Sequence, residues 1–123
     1  MPGTVRNCVN GHFSIGAYMI EGFKVIIGAI YGPSNNSDLI ASRMYGSFSE
    51  ELTELALRVG SPIIIIGGDF NIKLDNLHSS KPRAVNLMYD IINQYDLIDA
   101  GREHGSLPTW RRPHLPGSCS RLD

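Results

Sequence analysis

Three polar side chains stand at the ends of apolar runs in this chain. Asp69 and Asn71 follow "PIIIIGG" at residues 62–68, and Tyr31 closes "FKVIIGAIY" at residues 23–31. An acid and an amide that converge at a strand end can hold a hard cation, orient a water molecule or bond a phosphate oxygen. The hydroxyl of Tyr31 could reach the same end of the predicted sheet. These residue types therefore predict a site for a charged oxygen-containing ligand.

Each of these residues also has a purely structural explanation. Asp and Asn are common turn formers after a strand, and Tyr31 on its own suits an aromatic that covers the edge of a core. Gly67 and Gly68 before Asp69 let the backbone turn sharply and let another group approach closely. The residue types alone therefore leave both a turn and a binding site open.

The segments around Tyr31 predict a hairpin and a long helix. Residues 12–20 and 23–31 are rich in apolar and β-branched residues, and the two residues between them form a turn, which predicts a β-hairpin. From Asp38 to Val59, apolar residues recur at spacings of three and four, the pattern of an amphipathic helix. Ser37 or Asp38 can cap its start, and Gly60 ends it.

The segments around Asp69 complete the predicted architecture. "PIIIIGG" predicts a strand buried on both faces, and residues 83–95 predict a second helix. A strand, a helix and a second strand indicate a crossover unit in a layered α/β fold, here with at most five strands. Ligands gather beyond the carboxyl ends of such strands. If the backbone stays extended past Asp69, the side chains of Asp69 and Asn71 point the same way.

Composition limits the alternatives. The 123 residues suffice for one domain, residues 1–123, and the formal net charge of -1 gives no global electrostatic case for binding nucleic acid or an acidic membrane. Cys8 and Cys119 lack partners at metal-ligand spacing, which argues against zinc. We see no signal peptide and no apolar run that could span a bilayer, so we expect an intracellular protein, in the nucleus or cytoplasm.

Several motifs together resemble one superfamily. "GAIYGPSNNSD", a helix, "IIIIGGDFNIKLD", "LIDA", "PTWRRP" and "SRLD" occur in this order between Gly11 and Asp123. The series is similar to the endonuclease/exonuclease/phosphatase superfamily, and within it to the apurinic-type endonuclease domain of non-LTR (LINE-type) retrotransposons. This resemblance implies a partial four-layer α/β sandwich of the DNase I-like type.

The resemblance also implies roles for individual residues. Tyr31 matches the tyrosine that helps hold the scissile phosphate, and Asp69 matches the aspartate that positions or deprotonates the attacking water. Asn71 matches the asparagine that contacts the phosphate and steadies that aspartate. Asp123 matches the aspartate that is paired with a catalytic histidine, whose tautomer it fixes.

Further expectations concern the ligands. Thr109, Trp110 and Ser120 match positions that line the DNA-facing rim, where a tryptophan could contact bases or sugars; a tryptophan that anchors a core or loop is the alternative for Trp110. The resemblance implies Mg²⁺ as cofactor and DNA as partner. The implied product is a nick with a 3′ hydroxyl, which in retroelements primes reverse transcription.

The chain departs from the family pattern at both ends. Residues 1–11 hold neither the family's Asn nor the Gln-Glu pair whose Glu is the main metal ligand, and no Ser-Asp-His motif follows "SRLD". We interpret the four histidines as surface or loop residues. We therefore expect a truncated domain that does not nick supercoiled plasmid in Mg²⁺. A non-catalytic remnant that binds a partner, or a phosphatase of another branch, are the alternatives.

Overall fold

The computed structural model describes residues 4–7, 11–74, 80–100, 110–111 and 119–120, and for 4–7, 110–111 and 119–120 only the path of the backbone. The elements in chain order are β1 (Thr4–Asn7), β2 (Phe13–Ile20), β3 (Phe23–Tyr31), α1 (Asp38–Val59), β4 (Ile63–Asp69), α2 (Pro82–Gln94), β5 (Trp110–Arg111) and β6 (Cys119–Ser120). Strands β1 to β4 form one sheet in that order, and β5 pairs with β6. The predicted α/β class is confirmed, and the described residues form six strands, one more than the expected maximum of five.

The predicted hairpin is present. Strands β2 and β3 pair antiparallel from Phe13 opposite Ile30 to Ile20 opposite Phe23. The two turn residues between them, Glu21 and Gly22, both have positive φ, at 47° and 84°. A turn with both central residues in this region matches the right-handed twist of the flanking strands, which is why a two-residue loop suffices.

The predicted crossover is also present. Strand β4 pairs parallel with β3, and α1 makes the connection between them. Ser37 caps α1, since its hydroxyl accepts a hydrogen bond from the Ile40 N–H at 3.2 Å. Gly60 ends the helix with φ of 76°, a left-handed conformation that glycine adopts without strain. The helix therefore has the limits that the sequence predicted, and it continues through Gly46.

The core lies between the sheet and the two helices. Phe13 of β2 meets Phe48 of α1 edge to face, with ring centroids 5.3 Å apart. Gly28 of β3 makes room for this contact, because a β-carbon there would lie 2.9 Å from the Phe48 ring. The largest fully buried side chains are Tyr45, Phe48, Ile15, Ile26, Leu52, Leu55 and Ile91. The sheet is thus fixed to α1 through its central strands.

The prediction that β4 is buried on both faces is wrong. Ile64 and Ile66 pack against the core, but Ile63 and Ile65 are 48% and 55% exposed. Alternate residues of a strand point to opposite faces, and α1, with α2 packed against it, lies on one of them. The sequence did not indicate which face of β4 is covered, because the residues that point to the two faces are equally apolar. We call the uncovered side, with Ile27, Ile63 and Ile65, the outer face.

The start of α2 is capped from α1. Lys81 precedes α2 without providing a side-chain cap. Instead, the Asp38 carboxylate accepts hydrogen bonds from the N–H groups of Arg83 and Ala84, both at 3.1 Å. A negative charge at this position also favours the positive end of the helix dipole. Asp38 therefore joins the first turns of the two helices, beside the loop that follows Tyr31.

Within the described ranges, neither helix combines the length and apolarity needed to cross a membrane.

The two glycines before Asp69 allow a matched test of the β3–β4 contact. A β-carbon on Gly68, whose φ is 132°, would collide with the carbonyl oxygen of Ile30, whereas one on Gly67 meets nothing within 4 Å. We expect Gly68→Ala to lower the free energy of unfolding by roughly 2–4 kcal/mol and Gly67→Ala to change it by less than about 0.5 kcal/mol. Urea unfolding of both variants would measure this. Equal effects would contradict the close approach of the strands at Gly68.

Candidate functional site

Tyr31 and Asp69 lie side by side at the carboxyl ends of parallel strands. They are the last register partners of β3 and β4. The preceding residue of β3, Ile30, is buried against the core, so alternation places Tyr31 on the outer face, with Asp69 beside it at the end of β4. The Tyr31 side chain is 59% exposed, and Asp69 is half-buried. The pairing brings two of the predicted site residues together at one point, which we call the rim.

Asn71 joins the rim by a different geometry from the one predicted. Its φ of 51° takes the backbone out of the extended conformation, so the condition under which Asp69 and Asn71 were expected to point the same way, an extended chain, is not met. Asn tolerates this left-handed conformation better than most residues. The Asn71 N–H donates to Oδ1 of Asp69 at 3.2 Å, and its Nδ2 donates to the Gly32 carbonyl at 2.6 Å. Asn71 thus connects the two strand ends.

The backbone beyond Tyr31 and Asp69 is tightly packed. The Gly32 N–H donates to the Asp69 carbonyl at 2.7 Å. A β-carbon on Gly32 would collide with the Phe70 carbonyl, so only glycine fits there. The buried Tyr45 of α1 donates its hydroxyl to that same Phe70 carbonyl at 2.5 Å. A side chain of α1 therefore fixes the backbone of the segment that follows Asp69.

Lys81 is the buried cation beneath the rim. Its side chain is only 5% exposed, and Nζ donates to the carbonyls of Pro33 at 2.7 Å and Asn71 at 3.0 Å. Burial lowers the pKa of the ammonium, while the carboxylates of Asp38 and Asp69 act in the opposite direction. Both carboxylates are thus close enough to stabilise the charge. Lys81 joins the loop after β3 to the loop after β4.

Lys81 carries little signal at the level of the sequence. It stands between Ser80 and Pro82 in a polar stretch, where a lysine is normally taken for a solvated loop residue. It donates to the carbonyl oxygens of Pro33 and Asn71, and carbonyls carry no sequence signature. Only the folded arrangement of the two loops reveals this contact.

His12, which was interpreted as a surface or loop residue, lies in the bend before β2, beside Tyr31. The Tyr31 N–H donates to the His12 carbonyl at 2.7 Å. Nδ1 of His12 lies 2.9 Å from the Tyr31 carbonyl oxygen. The imidazole is half-buried. It is therefore fixed to the same strand end as the predicted site.

The donor set suits a hard cation held by one carboxylate. Mg²⁺ prefers oxygen ligands, keeps several waters and is often held by one or two carboxylates. Asp69 and the amide oxygen of Asn71 are of this kind. Among the described residues, no group of three or more His, Cys, Asp or Glu side chains converges as a metal site. Asp69 and Asn71 therefore fit Mg²⁺ with most positions left to water or to a phosphate.

The remaining predicted site residues are only partly described. Trp110 and Ser120 are register partners in the two-stranded sheet of β5 and β6. Their side chains, together with Thr109 and Asp123, lie outside what the structure describes. The roles that the family resemblance implies for these four residues stay predictions.

A scan against models of protein families matched none, and a search of curated proteins found no relative.

Replacement of Lys81 tests its contribution to the rim. Lys81→Met keeps the length of the side chain but removes the ammonium, which leaves the carbonyls of Pro33 and Asn71 without this partner. We expect the free energy of unfolding to fall by about 1–3 kcal/mol. Lys73→Met, at an exposed position, is the matched control and should change it by less than about 0.5 kcal/mol. If the two variants unfold alike in urea, Lys81 does not hold the loops.

The buried Tyr45 should lower the free energy of unfolding at alkaline pH. Burial, together with the nearby Asp69 carboxylate, raises the pKa of Tyr45. Above pH of about 10 the unfolded tyrosine ionises while the folded one stays neutral, so the stability that Tyr45 contributes is lost as the pH rises. Tyr45→Phe should cost about 0.5–1.5 kcal/mol at neutral pH, through the lost hydrogen bond. The difference from the wild type should shrink above pH of about 10. Parallel pH–stability curves would contradict this.

Proposed function

We propose that the rim binds a phosphodiester of DNA, and that the chain carries part of a Mg²⁺-dependent endonuclease site of the non-LTR retrotransposon type. The observation that supports this best is the pairing of Tyr31 with Asp69 at the ends of parallel strands, with Asn71 bonded to both strand ends. A hydroxyl donor, a carboxylate and an amide at one exposed point are what the resemblance predicts for this chemistry.

Each of the three side chains has a separate role in the proposed hydrolysis. Cleavage of a phosphodiester needs a water molecule aimed in line with the leaving oxygen and stabilisation of the charge on the phosphate. Asp69 accepts a proton from that water or orients it. The hydroxyl of Tyr31 donates to a phosphate oxygen, and the N–H of Asn71 keeps the Asp69 carboxylate in place. When bound, Mg²⁺ supplies charge stabilisation on the phosphate.

For a complete site of this type, the product that the resemblance implies is a nick that leaves a 3′ hydroxyl. In a retroelement this hydroxyl primes reverse transcription, so the proposal places the protein where host DNA is accessible, in the nucleus or cytoplasm. DNA is the proposed partner.

The outer face supports the finer fold that the resemblance implies. Helix α1, with α2 packed against it, lies on one side of the sheet, and the other side exposes Ile27, Ile63 and Ile65. An apolar sheet face is normally covered by another layer. In a four-layer α/β sandwich of the DNase I-like type, a second sheet would cover this face. The rim lies at one end of the face and would remain open to DNA.

A second candidate function is binding of a partner without catalysis. Strand β4 is the edge of its sheet in the described part of the chain, and an unpaired edge can take up an added strand. A cavity of about 750 Å³ lies along this edge, between β4 and residues 95–100, and its lining includes Ile64, Ile66 and Met88. These features favour an apolar extended segment as occupant, and they are independent of the rim.

The response of DNA binding to Mg²⁺ tests the first proposal. Asp69→Asn keeps an oxygen that can accept the Asn71 N–H but removes the charge that attracts the cation and repels the phosphate. Without Mg²⁺ the variant should bind a short DNA oligonucleotide as well as the wild type or better. Mg²⁺ should tighten binding by the wild type at least about fivefold, which corresponds to about 1 kcal/mol, and should leave the variant nearly unchanged. Fluorescence anisotropy measures both.

Asp90→Asn provides the control, since Asp90 is exposed on α2. It removes the same charge and should keep the full response to Mg²⁺. If Asp69→Asn keeps that response too, Asp69 is not the cation ligand. If the wild type binds no DNA with or without Mg²⁺, the proposed function is wrong.

A further inference from the structure

His12 ends the β2–β3 ladder in an unusual way. In an antiparallel hydrogen-bonded pair, the two residues exchange backbone N–H···O bonds in both directions. Here the Tyr31 N–H donates to the His12 carbonyl, but it is the imidazole of His12 that meets the Tyr31 carbonyl, at 2.9 Å. The ring is therefore held against the end of β3.

This contact fixes which nitrogen of the imidazole is free. A carbonyl oxygen can only accept, so Nδ1 of His12 carries a hydrogen and donates to Tyr31. Nε2 lies on the far side of the ring and points away from that carbonyl. Among the described residues, Nε2 has no hydrogen-bond partner, and none of their buried side-chain nitrogens is unsatisfied, so Nε2 faces solvent.

The register places His12 in one row with the rim. Phe13 pairs with Ile30, so His12 stands next to Tyr31, and Tyr31 pairs with Asp69. Tyr31 continues the alternation of β3 on the outer face, and His12 and Asp69 lie on either side of it. Neighbouring strands are about 4.8 Å apart, which puts the Cα atoms of His12 and Asp69 about 10 Å apart with Tyr31 between them. A phosphate at the Tyr31 hydroxyl would thus have a carboxylate on one flank and an imidazole on the other.

We propose that His12 is a substrate-contacting residue of the rim, whose Nε2–H donates to a phosphodiester oxygen on the flank of Tyr31 away from Asp69. The inference rests on the proposed function. In the complex the imidazole carries a hydrogen on both nitrogens: Nδ1–H stays on the Tyr31 carbonyl and Nε2–H bonds the phosphate. The second proton is supplied by the buffer on binding. The resulting cation offsets the repulsion between Asp69 and the phosphate.

Two amide variants separate this role from a structural one. The side-chain amide of Asn overlays Nδ1 of histidine, so His12→Asn can still donate to the Tyr31 carbonyl but lacks the outer nitrogen. The longer Gln reaches the position of Nε2. We expect His12→Asn to keep wild-type stability and to bind a short DNA oligonucleotide about tenfold more weakly, the effect of one hydrogen bond to a charged group. His12→Gln should recover a large part of the affinity. The assay contains Ca²⁺ in place of Mg²⁺ to prevent cleavage.

Imidazole NMR gives a readout on the unmodified chain. Addition of the oligonucleotide should shift the ¹⁵N resonance of Nε2 strongly and that of Nδ1 much less, because only Nε2 gains a partner. This result does not depend on how well any variant folds.

The outcomes distinguish the inference from the proposed function. If the wild type binds the oligonucleotide, and His12→Asn binds equally well with an unchanged Nε2 resonance, the role of His12 is wrong while the proposed function stands. If the wild type binds no oligonucleotide, both are wrong. Weaker binding by His12→Asn, recovery in His12→Gln and a selective Nε2 shift support the inference.

Discussion

The geometry of the rim depends on the buried ammonium of Lys81. Two strand ends carry Tyr31 and Asp69, and each strand continues into an irregular loop whose carbonyls need donors. Lys81 supplies these donors to Pro33 and Asn71 at once. A buried charge is costly unless it is paired and hydrogen-bonded, and here two carbonyls and two nearby carboxylates meet that condition. Lys81 thus holds the two loops together from the buried side of the rim, and a ligand can approach from the exposed side.

Helix α2 connects this contact to the rest of the fold. Lys81 directly precedes α2, and the Asp38 carboxylate at the start of α1 caps the first turn of α2. The position of Lys81 is therefore determined by the packing of the two helices. Tyr45 of α1 fixes the Phe70 carbonyl in the same region. Rigid elements thus set the separation of the strand ends, as a site requires when reacting groups must be held within fractions of an ångström.

Local patterns predicted the elements, while long-range contacts could not be predicted. The hairpin followed from Glu21 and Gly22, and α1 from its apolar repeat and Ser37, because these signals lie within a few residues of what they specify. The identical apolar character of Ile63 and Ile64 hid the difference between the two faces of β4. Lys81 and His12 act on carbonyls 48 and 19 residues away, which no sequence spacing indicates. The types of the site residues were thus predictable from the sequence, but the long-range hydrogen bonds that hold them in place were not.

Mapping of the DNA contact surface by amide NMR tests the central claim most directly. The wild-type chain would be titrated with a short DNA oligonucleotide in Mg²⁺. We expect the largest shifts at His12, Tyr31, Gly32, Asp69 and Asn71, with small changes along α2 and the β4 edge. Shifts that are largest at the cavity beside β4, with none at the rim, would contradict it and would favour the partner-binding function.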